Sequence, residues 1–528
     1  MAGAPITPGP WAAAAAVAAL HAAGVPQGAL QLLPGRGETV GAALVGDARV
    51  NGVLFTGSTE VARLLQRALS QRLTAQGRVV PLVAETGGQN AMIVDSSALA
   101  EQAVADIVSS AFDSAGQRCS ALRLLAVQDD VADRLFAMLE GAVRELRVGD
   151  PRALTTDVGP VIDAEAAAGI ESHVQSMRAR GRRVWRLEPD AATAARGHFV
   201  APTLIELERV SELGREVFGP VLHVLRYARE DLAALLDQVN ATGYGLTQGV
   251  HTRIDETVAQ VVAASRAGNL YVNRNIVGAV VGVQPFGGEG LSGTGPKAGG
   301  PLYLLRLLAE RPLQAARLAL ARSGNAAATP PVRGLAAGDA DATRGGEALA
   351  ALRSWALSRG QALLAAQCDQ AAAESGIGSW LALAGPTGEA DLYALRPRDA
   401  VLCLVDGEVE ADRLAQLAAV LAAGSHAVWP AAAQALRERL PVEVRERISL
   451  ALDWTQPAVS FDAVLHHGAP TERLAVAAAL AARPGPIVGL TGLAHGDGRV
   501  PIERLVTERS LSVNTAAAGG NASLMTIG

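Results

Sequence analysis

Aromatic residues make up only 3 % of the 528-residue sequence, so a core of any size has to be packed from aliphatic and small side chains. Cysteine is almost as scarce. Cys119, Cys368 and Cys403 are widely separated and none belongs to a Cys-x-x-Cys pair, which excludes a disulfide framework and a cysteine zinc site and fits a reducing cytoplasm. No metal site is expected. Positive charge is not in excess either: the formal net charge of −6 leaves no electrostatic footprint for nucleic acid or an anionic membrane. No run approaches the roughly eighteen apolar residues needed to cross a bilayer. The longest, Trp11 to Leu20, has no Lys or Arg before it and reads as an alanine-rich helix of a soluble protein. No repeat is visible.

What is present is an apolar fraction of 49 % beside 19 % charged residues, a composition able to bury a core. At roughly 150 residues per domain the length allows about three domains. Up to about residue 128, short apolar runs alternate with helical periods, the pattern of a mostly parallel sheet with crossover helices. The expected strands are 29–33, 52–56, 79–84, 91–94 and 122–127; the expected helices are 12–23, 60–75, 99–115 and 131–146. Residues 30–37 and 52–58 both run from a strand into glycine, where a doubly wound sheet binds ligands. A second mixed segment extends to about residue 314. Residues 325–346 are Ala, Gly, Pro and Asp with hardly a large apolar side chain and read as a linker. A further α/β segment follows, with strands at 401–405 and 487–490 and a helix near 410–423, and residues 509–528 read as an extended arm that adds to another sheet.

Two residues stand out chemically. Cys119 lies in Gly116-Gln-Arg-Cys-Ser-Ala121, a loop between an expected helix and an expected strand. A lone cysteine is ordinarily an inert buried hydrophobe. Here the glycine and the polar neighbours argue against an apolar core, and backbone N–H groups at such a junction favour the thiolate. Cys403, within an apolar run, and Cys368, in a helical pattern, fit the core reading. Glu85 ends an expected strand and is followed by Thr-Gly-Gly. It is either a solvated charge at a strand end or a general base; spacing alone leaves both open.

The order of Phe55-Thr-Gly-Ser-Thr-Glu-Val61, Glu85-Thr-Gly-Gly88, Gly116-Gln-Arg-Cys119, Glu216-Val-Phe-Gly-Pro220 and Pro285-Phe-Gly-Gly288 resembles the aldehyde dehydrogenase superfamily. The wording of residues 84–97, 112–122 and 292–301, and of the closing Gly-Gly-Asn-Ala-Ser-Leu-Met-Thr-Ile-Gly528, narrows it to the dehydrogenase module of the long proline utilization A family. The resemblance covers nearly the whole chain. It implies an aldehyde dehydrogenase-like α/β fold: a partial Rossmann-type NAD-binding domain (1–96), a catalytic domain (97–285), an anchor loop and return segment (286–324), the linker (325–346), a smaller non-catalytic α/β domain (347–508) and the terminal arm (509–528).

It also implies NAD-dependent oxidation of L-glutamate γ-semialdehyde to L-glutamate. Cys119 attacks the aldehyde to give a thiohemiacetal, hydride loss to NAD leaves a thioester, and water activated by Glu85 releases the acid. The implied cofactor contacts are Gly35 and Gly37 on the adenine side, Gly57 and Ser58 at the pyrophosphate, Glu216 at the nicotinamide ribose and Phe218 beside it. Without the other motifs, Gly57-Ser58 is equally an ordinary helix cap. The implied substrate contacts are Ser120, Gly299 and Gly300 at the carboxylate and amino group, and Phe112 along the aliphatic chain. The partners implied are the small-molecule substrate and either further copies of the chain or a proline dehydrogenase half, with the C-terminal region covering a passage for the semialdehyde. The family carries an oxyanion asparagine upstream of the point where this match begins, and a lysine and a glutamate where Ala4 and Thr7 stand. The expectation is a fragment or mis-started frame of a full enzyme; the alternatives are a truncated, impaired homologue serving as a binding or oligomerisation module, and a dehydrogenase of another small aldehyde.

Overall fold

The computed structural model describes residues 2–3, 10–187, 196–308, 311–312, 314–326, 331–335, 340–378 and 380–516. Its centre is an eleven-stranded sheet. Asn90–Val94 and Leu122–Gln128 lie at its heart, every residue of both buried, as strands covered on two faces must be. The twofold alternation of a strand sorts their side chains between two cores. Ala91, Ile93, Leu124 and Ala126 face one cluster; Met92, Val94, Leu125 and Val127 face the other, which the helices Ala100–Phe112 and Asp129–Arg144 close.

From that centre one side continues through Val221–Tyr227 and Thr203–Glu206 to Val184–Arg186. The other runs through Thr247–His251 and Asn269–Val272 to Val506–Asn514, then Glu389–Pro397, Trp380–Leu383 and Asn325–Ala326. The run from Thr203–Glu206 to Val506–Asn514 is parallel throughout, and the strands outside it pair antiparallel. A second sheet is wholly parallel, in the order Ile448–Ala451, His426–Pro430, Ala400–Val405, Ala463–His467, Gly489–Leu493. Of the expected nucleotide-binding region, Val53–Thr56 pairs in parallel with Leu82–Glu85, over a small core of Val45, Leu69 and Val80.

The mixed α/β class and its parallel sheets are those expected. Strands and helices up to residue 146 appear close to their expected places, but the strand expected over 29–33 is only Gln31–Leu32, paired with Ala2–Gly3 outside the central sheet, and two other bounds move. The expected strand 79–84 begins only at Leu82, and the helix expected over 60–75 ends at Leu69 because residues 74–78 turn back on themselves, Thr74 N–H donating to the Arg78 carbonyl at 2.8 Å. Two departures matter more. Residues 340–346, assigned to the linker, begin the helix Ala340–Ser358. The chain also leaves the central sheet after Pro397 and returns to it at Val506, so Glu389–Pro397 and Val506–Asn514 belong with the central sheet rather than with the five-stranded one. Residues 517–528 of the expected arm lie outside the described residues. Among the described residues no helix is long and apolar enough to cross a membrane.

Candidate active site

The loop before Cys119 is unusual backbone. Ser114, Ala115 and Gly116 follow one another with φ of 56°, 55° and 65°. The two L-residues pay for that left-handed conformation, and glycine is required at 116, where a Cβ would strike the carbonyl group of Gly219. The tight turn leaves Cys119 half-buried rather than sealed in aliphatic packing. Asn90 pins it from below: its Nδ2 donates to the carbonyls of Cys119 (2.7 Å) and Ala121 (2.8 Å), while its Oδ1 accepts from Thr247 N–H (3.1 Å). Burial raises the Cys119 thiol to about 11, the Glu216 and Glu85 carboxylates add to the rise, and hydrogen bonds from the backbone N–H groups of Ser120 and Cys119 oppose it.

Glu85 ends its strand with both flanks held. Its carbonyl accepts from Gly57 N–H at 3.1 Å, Ala84 exchanges bonds with Thr294, and Thr86 N–H donates to the Ser292 carbonyl at 3.0 Å. The carboxylate therefore enters the same loop, where Gly288 N–H donates to Oε2 at 3.2 Å and Oε1 is buried without a hydrogen-bond partner. Burial is the largest influence and lifts its pKa to about 8, against the Gly288 N–H and the Lys297 charge, which lower it. The Glu85 charge thus reaches the Cys119 thiol.

Glu216 is the third member. Its Oε2 accepts from Gly88 N–H at 3.2 Å and its Oε1 from Arg123 at 2.9 Å. Arg123 is fully buried and also donates to the Gly219 and Arg118 carbonyls, with Phe218 lying 5.4 Å from its guanidinium carbon, measured to the ring centre. Arg123→Met is expected to cost about 3–5 kcal/mol of stability, because it strands the Glu216 carboxylate in a buried site. Thermal unfolding at neutral pH checks this; an unchanged midpoint would show that the pair adds nothing.

The remaining expected site residues fall unevenly. Ser58 caps the exposed start of the helix Thr59–Leu69, its side chain accepting from Val61 N–H at 3.2 Å. Gly57 precedes it, crowded by the Phe55 ring. Gly35 is crowded by the chain's own Val40, and Gly37 opens a short helical turn, Gly37–Gly41. Phe218 is 45 % exposed and Ser120 is buried. Gly299 and Gly300 lie in the turn after Lys297, Gly299 beside Val281 and Gly300 beside Glu508. Phe112, expected along a substrate chain, is only 1 % exposed and packs with Leu122, Leu125, Tyr271 and Ile276, so here it serves the core rather than an open surface. Cys403 is buried in the five-stranded unit, as is Cys368 beside it, as the core reading expects.

The residues suit a dinucleotide. The eleven-residue helix Thr59–Leu69 starts at an exposed end where, beside the capped Val61 N–H, the amides of Thr59 and Glu60 have no acceptor within the helix, and Phe218, near Glu216 in sequence, is 45 % exposed. Sequence reasoning missed Asn90, Arg123, Lys297 and Glu508. Arg123 carried a readable signal, a charge inside the apolar run Leu122–Val127, since a buried charge demands a partner.

Residues 4–310 match the family model described as the aldehyde dehydrogenase family. The bifunctional protein PutA of Escherichia coli (strain K12) is 58 % identical over 526 residues, which is 98 % of this chain and 39 % of that protein. The 1-pyrroline-5-carboxylate dehydrogenase 1 of Halalkalibacterium halodurans is 37 % identical over 303 residues, 57 % of this chain and 58 % of the relative. Among solved structures, a Bradyrhizobium japonicum proline utilization A variant superposes with a TM-score of 0.55 at 53 % identity, over 58 % of this chain and 30 % of that one. The chain thus spans about two-fifths of the length of the PutA relatives it matches.

Proposed function

We propose that this chain, which belongs to the aldehyde dehydrogenase family, is the NAD-dependent dehydrogenase that oxidises L-glutamate γ-semialdehyde to L-glutamate in proline breakdown. The observation that carries the reading is a half-buried thiol at Cys119 that lies within electrostatic reach of the Glu85 carboxylate. Cys119 gives its proton to solvent and its sulfur bonds to the aldehyde carbon, the carbonyl π pair moving onto oxygen to give a thiohemiacetal with a negative oxygen. NAD, when bound, supplies the acceptor for the hydride that leaves this carbon, and Gly57, Ser58, the first turn of Thr59–Leu69, Glu216 and Phe218 are the residues that would hold it. The resulting thioester is opened by water that gives its proton to Glu85, releasing the acid and the thiol. Backbone N–H groups at Ser120 and Cys119 already point at the sulfur and support its negative form.

The names of the relatives favour this substrate, and in the turn after Lys297 the Gly299 N–H is the group proposed for its carboxylate, the Gly300 N–H already donating to the Lys297 carbonyl at 3.0 Å. Gly299→Ala puts a Cβ on a residue whose φ of 69° favours glycine; by turning its N–H away it should lower kcat/KM for the semialdehyde about tenfold relative to a short uncharged aldehyde, the worth of a charge-assisted hydrogen bond. Unaltered selectivity would remove these glycines from the substrate site. The broader test is direct: with NAD and glutamate semialdehyde the folded chain should form NADH, and quenching should leave an acyl adduct on the peptide containing Cys119. An adduct on Cys368 or Cys403, or no NADH from folded protein, would overturn the proposal. The region from Ala340 onward has a parallel five-stranded unit that contributes neither Cys119 nor Glu85; we take it as non-catalytic. Further copies of the chain, or a proline-oxidising segment such as the bifunctional relatives carry, are the proposed partners, and the cytoplasm the proposed location.

A further inference from the structure

Behind the Glu85 carboxylate lies a buried ammonium. Lys297 is 2 % exposed, and its Nζ donates to the carbonyl of Gly287 at 2.6 Å and to Oδ1 of Asn269 at 2.7 Å. The peptide group whose oxygen it holds is the one whose N–H, on Gly288, donates to Oε2 of Glu85. We propose that Lys297 is a positioning residue that supports the Glu85 carboxylate through the Gly287–Gly288 peptide, and that the strand Val506–Asn514 holds Lys297 in place through Glu508. The inference rests on the reading of Glu85 as the base that activates water.

A cation on the oxygen side of an amide polarises it and makes its N–H a stronger donor, so the two hydrogen bonds reinforce one another. The geometry allows little slack. A Cβ at Gly287 would lie 2.8 Å from Oε1 of Glu85 and 3.2 Å from the Lys297 backbone, so only glycine lets the peptide pass between them. Phe286 and Ala298 exchange backbone hydrogen bonds of 3.0 and 2.7 Å, fixing the two arms of the loop face to face. From the other side, Glu508 Oε2 accepts the Lys297 backbone N–H at 2.8 Å and its Oε1 accepts the Tyr393 hydroxyl at 2.7 Å. Both partners come from strands that flank the excursion into the five-stranded unit, so that part of the chain reaches the active site without lending it a reacting group.

The charged and titratable groups facing Glu85 are Lys297 and Glu508, and Cys119 and Tyr303 in turn feel its charge. Lys297 also faces Glu289 and Arg509. Burial lowers the Lys297 ammonium and raises Glu85, and the charge of each favours the charged form of the other.

The test needs no cofactor. p-Nitrophenyl acetate acylates a cysteine with release of p-nitrophenolate, giving a burst; the steady phase that follows is thioester hydrolysis. With the 528-residue chain, Lys297→Gln, which can still donate to the Gly287 carbonyl, should keep the burst amplitude. Its steady phase should show a pH midpoint displaced about one unit alkaline, roughly tenfold slower at pH 7. Lys297→Met, used if the glutamine variant does not fold, should behave alike, and Lys297→Arg, which keeps the charge, should return the midpoint toward that of the unchanged chain. An intact burst with an unmoved midpoint in Lys297→Gln or Lys297→Met overturns the inference alone. Absence of a burst from the unchanged chain overturns the reading of Cys119, and this inference with it.

Discussion

Glu85→Gln should trap the enzyme as its thioester: the burst keeps its amplitude, while the steady rate of hydrolysis falls by about 10²–10⁴-fold, the usual worth of a positioned base. Glutamine fills the same space and keeps an oxygen for the Gly288 N–H, so what is lost is the ability to take a proton from water. The same variant makes a second, independent prediction. The carboxyl of Glu85 is raised from 4.5 to about 8 by burial. Between those values the folded state keeps a proton that the unfolded chain gives up, so this group's contribution to stability declines as pH rises from about 4.5 to 8. Glu85→Gln removes that decline. Its thermal midpoint should therefore match the unchanged chain near pH 4.5 and pull ahead as pH approaches 8. A full-rate steady phase would exclude Glu85 as the base; a midpoint difference that does not grow with pH would exclude the raised pKa.

The order of strands and helices up to residue 146 was legible because periodicity is strong where both faces of a sheet are covered, as in Asn90–Val94 and Leu122–Gln128. Cys119 and Glu85, the proposed nucleophile and base, stood out because each has a glycine within three residues at a junction of strand and loop, where a side chain can meet a ligand. Their supports did not. Asn90 and Glu508 act through backbone groups of other elements, Glu508 reaching back 211 positions to the Lys297 N–H, and Lys297 reaches across its own loop to the Gly287 carbonyl; no local pattern marks such a partner. Phe112 shows the opposite limit: a motif places it correctly in sequence, but burial at the end of the helix Ala100–Phe112 was decided by packing. The largest miss concerns topology. A strand that rejoins a sheet after a long excursion reads, locally, like any short run of β-formers, which is why 509–528 read as an arm adding to another sheet, with nothing to mark the strand Val506–Asn514 as a member of the central one.

That returning strand gives the prediction with the largest effect on stability. Val506–Asn514 is the element hydrogen-bonded between Asn269–Val272 and Glu389–Pro397, and Leu511 at its middle is fully buried, opposite Leu270 on one side and Leu392 on the other. Leu511→Pro removes a ladder donor, fixes φ away from the strand value and deletes core contacts at once, a loss of at least about 3–5 kcal/mol. Because the strand joins two halves of the sheet, the damage should not stay local: Asn269, which holds Lys297, sits on the strand beside it, and Glu508 is three residues away on the same strand. The expected result is early, weakly cooperative thermal unfolding, rapid proteolysis and loss of the burst from Cys119. Leu452→Ala, at a residue that is 97 % exposed in the five-stranded unit, is the control and should unfold like the unchanged chain. If Leu511→Pro kept its burst and unfolded within about 2 °C of the control, the last strand would be an appendage to the central sheet, and the support it lends to Lys297 and Glu85 would have to come from elsewhere.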